Sequence, residues 1–151
     1  MLDDLDRRIL RHLQSDPTLS LPELAERCDL SVGRATRRLE RLREEGVIKG
    51  QEAVIDWQAL GFAVRVSLRV TLDKTAPRAF DDFLAAARDV PEVIELQTFL
   101  GQVDVRLHLV ARDLAHYQRI YRERILTLPH IADIEALMTV STVKMDRELP
   151  L

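Results

Sequence analysis

The sequence predicts an α+β protein: an N-terminal three-helix domain of the winged or helix-turn-helix kind over residues 1–50, an extended connector over 51–62, and a C-terminal ferredoxin-like βαββαβ domain over 63–151. Three observations predict it. Apolar residues recur at helical spacing through the first fifty residues. From Val64 the period changes to strict alternation, as in a strand with one buried face. Two helix-proline-strand passages, stopping at Pro91 and Pro129, then echo one another.

The first helix begins after Asp3 and Asp4, acids placed where the positive end of a helix dipole favours them. Its apolar stripe is Leu5, Ile9, Leu10 and Leu13, and Asp16-Pro17 ends it. The second starts at Ser20, an N-cap whose capping-box partner is Glu23, and buries Leu21, Leu24, Ala25 and Cys28. A tight Asp29-Leu30-Ser31 connection follows, with Ser31 able to cap a third helix. That helix places Val32, Ala35, Leu39 and Leu42 inward and is stopped by Gly46. Arg34, Arg37, Arg38, Arg41 and Arg43 stand against a single acid, Glu40, before Glu44 and Glu45 close it. Two short helices joined by about three residues, the second basic and outward-facing, specify a helix-turn-helix unit. Gly33 and Ala35 keep the start of the third helix slim enough for a major groove, and Arg34 and Arg37 are long enough to reach base edges.

Val47-Ile48 and Gln51 to Asp56, punctuated by glycines, read as a connector. Val64, Val66, Leu68, Val70 and Leu72 then form the buried face of a first strand. After Pro77 a helix turns Phe80, Phe83, Leu84 and Ala87 inward, and Pro91 stops it before a strand around Val93 to Leu100. Gly101 turns the chain into a third strand burying Val103, Val105, Leu107 and Leu109. A helix with Leu114, Tyr117, Tyr121 and Ile125 inward follows, then a fourth strand from about Ile131 to Val143. Two helices cover one face of such a sheet. The other face needs a cover, and Leu96, Phe99, Val110 and Leu137 leave both sides of the strands partly apolar, which points to face-to-face or edge-to-edge dimerisation.

Composition narrows the function. The chain has 151 residues, 46% of them hydrophobic, and a net charge of −3, as in a globular protein. Residues 1–50 carry ten basic and ten acidic side chains, and the rest twelve and fifteen, so the basic cluster is local and suits docking on a polyanion at one face. No apolar run approaches the ~18 residues of a membrane span, and the first residues are acidic where a secretion signal is basic, which predicts a cytoplasmic protein with no membrane partner. A single cysteine, Cys28, forms no intramolecular disulfide and reads as a core residue; the four histidines have no metal-ligand spacing. No nucleophile-base pair or phosphate-binding glycine loop is present, so the sequence predicts neither catalytic residues, nor a metal site, nor a cofactor.

Leu2, Asp3, Leu5, Asp6, Arg8, Ile9, Leu10, Leu13 and Gln14, then the Leu30 to Ile48 segment, then a βαββαβ tail with Gly101 and Asp104, together resemble the Lrp/AsnC family of transcription regulators. The resemblance spans nearly the whole chain. It implies that residues 1–50 bind double-stranded DNA, that 51–62 form a linker strand, and that 63–151 form a regulatory domain of the kind called RAM. Such a domain dimerises, assembles further into tetramers, octamers or larger rings, and often takes an amino acid between subunits. By the same resemblance Ser31 faces a DNA phosphate, Arg38 and Arg41 hold mainly the backbone, and Gly33, Arg34 and Arg37 take base-reading positions, with Thr36 beside them. The family's effector loop falls on Gly101, Gln102, Val103 and Asp104, and Thr139 lies on a strand lining the same cleft in relatives. Gln102 and Val103 depart from the acid and aromatic common there. Two simpler readings stand beside these: Gly101 as a hairpin glycine and Asp104 as a solvent-facing strand acid. An effector-tuned regulator leads, with an architectural DNA-wrapping protein and an amino-acid-binding module or enzyme as alternatives.

Overall fold

The computed structural model describes residues 2–145 and 148–151. The chain divides into two compact units, one reaching Val54 and including the described residues from Lys144 onward, the other running from Ile55 to Val143.

In the first unit α1 spans Asp4–Ser15, α2 Leu21–Arg27 and α3 Val32–Glu44. Each start is fixed by a side chain. Asp3 caps α1 in a reciprocal box with Asp6, Ser20 caps α2 in a box with Glu23, and the Ser31 hydroxyl accepts from the Arg34 N–H. The ends of α2 and α3 share one device. At α3 the Gly46 N–H donates to the Arg43 carbonyl at 3.0 Å and the Val47 N–H to that of Leu42 at 2.9 Å, with Gly46 left-handed at φ +71. At α2 the equivalent bonds run from Asp29 to Glu26 and from Leu30 to Ala25, with Asp29 left-handed at φ 54. The turn of the helix-turn-helix is therefore made by an aspartate in a conformation glycine usually takes. Its carboxylate pairs with Arg8 at 3.1 Å.

Ile9, Leu24, Cys28, Leu39 and Leu42 form the core of this unit. Val32, expected inward, is 44% exposed, because it opens α3 before the helix reaches that core, whereas Ala35 is wholly buried and packs inward. Near the C-terminal end of the sequence, Gln14 holds Leu149 by two bonds, its Oε1 accepting from the Leu149 N–H at 2.8 Å and its Nε2 donating to the carbonyl at 3.1 Å. Residues 148–151 thus pack with α1, outside the C-terminal domain where the sequence places them.

Gln51 to Asp56 form no strand, although the family resemblance implies one; they are exposed, and among the described residues no strand pairs with them. Trp57–Gly61 make a closed turn in which the Phe62 N–H donates to the Trp57 carbonyl at 2.9 Å.

In the second unit β1 spans Val64–Leu72, α4 Ala79–Arg88, β2 Val93–Thr98, β3 Val105–Ala111, α5 Leu114–Ile120 and β4 Ile131–Met138. The order is βαββαβ in a four-stranded antiparallel sheet, β2-β3-β1-β4. Val66, Leu68, Val70, Phe83, Ala87, Val105, Leu107 and Ile125 fill the layer between sheet and helices. After Ile120 the second helix widens into a π-helical turn, Tyr121–Ile125, which carries Ile125 into the core. Leu114, expected inward, opens α5 and is 53% exposed. The fourth strand ends at Met138, short of the expected Val143.

Leu96 stands opposite Leu107 on the helix-covered face, while Val110 and Leu137 lie on the open one, so apolar residues fall on both sides. The open face is largely polar, with Val110 on it among charged side chains. Its central strands carry Arg65, Arg69, Arg106 and His108, and its outer strands Glu95, Gln97, Asp133 and Glu135, with Leu137 among them. His108 meets Glu95 at 2.6 Å, Arg69 meets Glu135 at 3.7 Å, Arg106 donates to Gln97, and the Arg106 guanidinium lies 5.4 Å from the Phe99 ring centre.

Candidate DNA interface and effector loop

Arg34, Arg37, Arg38 and Arg41 line one open groove on α3. Helical spacing puts them there: positions 34, 37, 38 and 41 follow i, i+3, i+4, i+7, the rule that also gathers Ala35, Leu39 and Leu42 on the opposite, buried side. At the head of the same helix, Ser31, Gly33 and Arg34 are exposed, and Thr36 is half-buried with its hydroxyl donating to the Val32 carbonyl at 2.8 Å. The structure thus gathers the seven expected DNA-binding residues on one helix.

The four arginines are not equivalent. Arg34 and Arg37 have no side-chain partner among the described residues. Arg38 and Arg41 do. Arg38 Nη1 donates to both Asp3 oxygens, at 2.8 and 2.7 Å, and to Asp6 Oδ1 at 2.7 Å; Arg41 Nη2 donates to Asp6 Oδ2 at 2.5 Å. Asp6 is wholly buried. Its own backbone N–H donates to Asp3, and the Asp3 N–H donates back at 3.1 Å. Backbone donation by Asp6, then the Arg38 guanidinium, holds the Asp3 carboxyl down at about 2, against an ordinary 3.8. Its bonds to the Asp3 carboxylate, then to that of Asp6, push the Arg38 guanidinium upward.

Sequence reasoning missed this pair of acids as anything beyond helix-start charge. A signal was there: Asp6 lies four residues after Leu2 and three before Ile9, on the apolar stripe of α1, where a carboxylate needs a partner.

The effector candidates behave differently. Gly101 is exposed with φ +154, Gln102 is exposed with its carbonyl accepting from the Thr71 hydroxyl, and Val103 is half-buried. Asp104 is neither free nor solvent-facing. It is 2% exposed, one oxygen accepting from the Leu72 N–H at 2.8 Å and the other pairing with Lys74 Nζ at 2.8 Å. Burial pushes this carboxyl upward, but the Lys74 ammonium and the Leu72 N–H outweigh it and hold it below the ordinary range.

Thr139 is not brought to this loop. Its N–H donates to the Arg65 carbonyl, whereas the Asp104 N–H donates to that of Val70, five residues further along β1. At roughly 3.3 Å per residue the two lie about 16 Å apart along the strand.

Comparison with known proteins agrees with this architecture. Residues 2–49 match a winged helix-turn-helix DNA-binding family, and residues 65–149 match the Lrp/AsnC ligand binding domain. The chain is 36% identical to the HTH-type transcriptional regulator Zrp of Zymomonas mobilis, over 99% of this chain and 97% of that protein. It is 32% identical to the leucine-responsive regulatory protein of Salmonella typhimurium, over 98% and 90% respectively. A transcriptional regulator of Neisseria meningitidis, solved in complex with L-methionine, superposes with a TM-score of 0.92 at 26% identity, covering 99% of this chain and 97% of that one. The chain belongs to the Lrp/AsnC family of DNA-binding transcriptional regulators.

Proposed function

We propose that this protein reads a specific operator through α3, acts as a dimer or larger assembly, and is tuned by an amino acid or related small molecule bound between C-terminal units of different subunits. The observation that carries the DNA reading is the arginine-lined groove on a capped, exposed helix of a helix-turn-helix unit. Within it, Arg34 and Arg37 read bases. Arg38 and Arg41, anchored on the side of α1, hold phosphates together with Ser31.

Self-association is supported by the open face of the sheet. Val110 and Leu137 lie on it, and Glu95 and Glu135 are already paired with His108 and Arg69, so a second copy can cover the face with these acids neutralised. One short helix on a chain of net charge −3 also binds DNA weakly alone, and two copies supply the missing affinity.

The separation of Thr139 from the Gly101–Asp104 loop supports an effector site built from two subunits, since one chain cannot close it. An effector ammonium reaching Asp104 has to displace or share the Lys74 ammonium there, which favours a ligand held largely by the backbone of Gly101 and Gln102.

A binding titration tests the regulator reading. The full-length protein should protect a defined stretch of its own upstream DNA in the presence of excess random duplex. Equal affinity for both would leave an architectural DNA-wrapping role in its place. Screening the twenty amino acids for a change in assembly size tests the effector; no change with any of them would leave a regulator without an amino-acid effector.

A further inference from the structure

We propose that Asp3 and Asp6 are positioning residues of the DNA interface: their carboxylates fix the guanidinium groups of Arg38 and Arg41 on the groove and cancel part of their charge. This rests on α3 being the DNA-contacting helix.

The acids are rigid before the arginines are considered. Each is held by the other's backbone N–H in the capping box that starts α1, so neither carboxylate can rotate away without uncapping the helix. Asp6, with no exposed surface, offers one oxygen to Arg38 and the other to Arg41. Asp3 adds a second carboxylate to Arg38. Arg38 and Arg41 are a single turn apart on α3, so two acids on one helix clamp two bases on another.

Both arginines also line the groove, where Arg34 and Arg37 are free of any described partner. The groove therefore combines two cations with no described partner and two that are held in place by a pair of carboxylates. A long arginine normally loses rotamer freedom when it binds a phosphate; one already clamped loses less. Because Asp3 and Asp6 offset their charge, these two arginines also release fewer counterions on binding than unpaired ones do. The pairing weakens the attraction to any polyanion and sharpens the dependence on phosphate position, which is how a repulsive element supplies specificity.

Asp3→Asn separates this from a merely structural role. Asparagine caps a helix as well as aspartate, and residue 3 is exposed, so α1 should persist, with helical content at the parent's level and the melting temperature lowered only by the lost Arg38 pairing. The measurement is affinity across a salt series for two probes, a random-sequence duplex and a duplex selected by the parent protein from a random pool. The variant should bind the random duplex several-fold more tightly at low salt. The slope of log K against log salt should steepen by up to about 0.9, one phosphate's worth. The ratio of selected to random affinity should fall. In an Arg38→Ala background the same substitution should change none of these.

An unchanged slope and ratio in Asp3→Asn would overturn the proposal, and so would a change that persists without Arg38. A parent protein that binds neither duplex would instead remove the assignment of α3 as the DNA helix.

Discussion

Asp6 and Asp104 are the two buried charged side chains among the described residues, one in each unit, and each is closed by at least one basic group and a backbone N–H. Asp6 ties α1 to α3; Asp104 ties the start of β3 to the end of β1. In both, a buried carboxylate is satisfied by a cationic partner thirty or more residues away. Substitutions around them therefore change folding and function together, and the expectations below keep the two apart.

Arg38→Ala should weaken binding to every DNA sequence and also destabilise the first unit, because buried Asp6 loses one of its two cationic partners. A cost of about 1–3 kcal/mol is expected in urea unfolding. Arg34→Ala should leave stability within about 0.5 kcal/mol and relax preference at one operator position by about 1–3 kcal/mol. Comparing both variants by denaturation and by binding to single-base operator variants checks the division of roles.

Gly33→Ala should stabilise α3 while weakening DNA binding. A Cβ built at Gly33 meets nothing within 4 Å, and its φ is not in the left-handed region, so the substitution should gain roughly 0.4–1 kcal/mol by restricting the unfolded chain. Only an approaching DNA surface gives that methyl group anything to strike. Unchanged affinity in a more stable protein would mean that DNA does not approach Gly33 closely.

Acid should unfold the first unit partly through Asp3. A carboxyl held at about 2 in the folded chain, against 3.8 ordinarily, takes up its proton more readily when unfolded. Its contribution is complete above about pH 4 and is lost as pH falls toward about 2. Urea midpoints measured across that window should fall less for Asp3→Asn than for the parent; an equal fall would remove Asp3 as a source of the acid sensitivity.

Asp104→Ala should destabilise the second unit even without an effector, by about 1–3 kcal/mol, since the Leu72 N–H and Lys74 lose their acceptor. Gln102→Ala touches only an exposed side chain and should leave thermal stability unchanged. Thermal melts of the two variants, with and without the amino acid that shifts the parent's assembly, separate loss of folding from loss of ligand. A stable Asp104→Ala protein would show that this carboxylate is not needed for the β1–β3 junction.

Much of the fold was legible in local pattern. Ser20, Ser31 and Gly46 stop and start helices where their chemistry places them, and the alternation from Val64 to Leu72 is the central strand. The misreadings have a common cause. Val32 and Leu114 carry the right residue type at the first turn of a helix, but a first turn lies at the rim of the core, which periodicity alone does not register. The arginine groove was legible because its members sit within eight residues. The acids that clamp it were not, because their partners are fixed by the packing of α1 on α3.

By itself the sequence determined the helix-turn-helix, the βαββαβ order, and the helix that carries the basic face, since each depends on neighbours a few residues apart: caps, turns and periodicity. Only the tertiary structure decided which charges remain free. It closed Arg38 and Arg41 onto Asp3 and Asp6, closed Asp104 onto Lys74, and set Thr139 and Asp104 about 16 Å apart along one strand, because an ion pair or a strand register is made between segments that meet only when the chain folds.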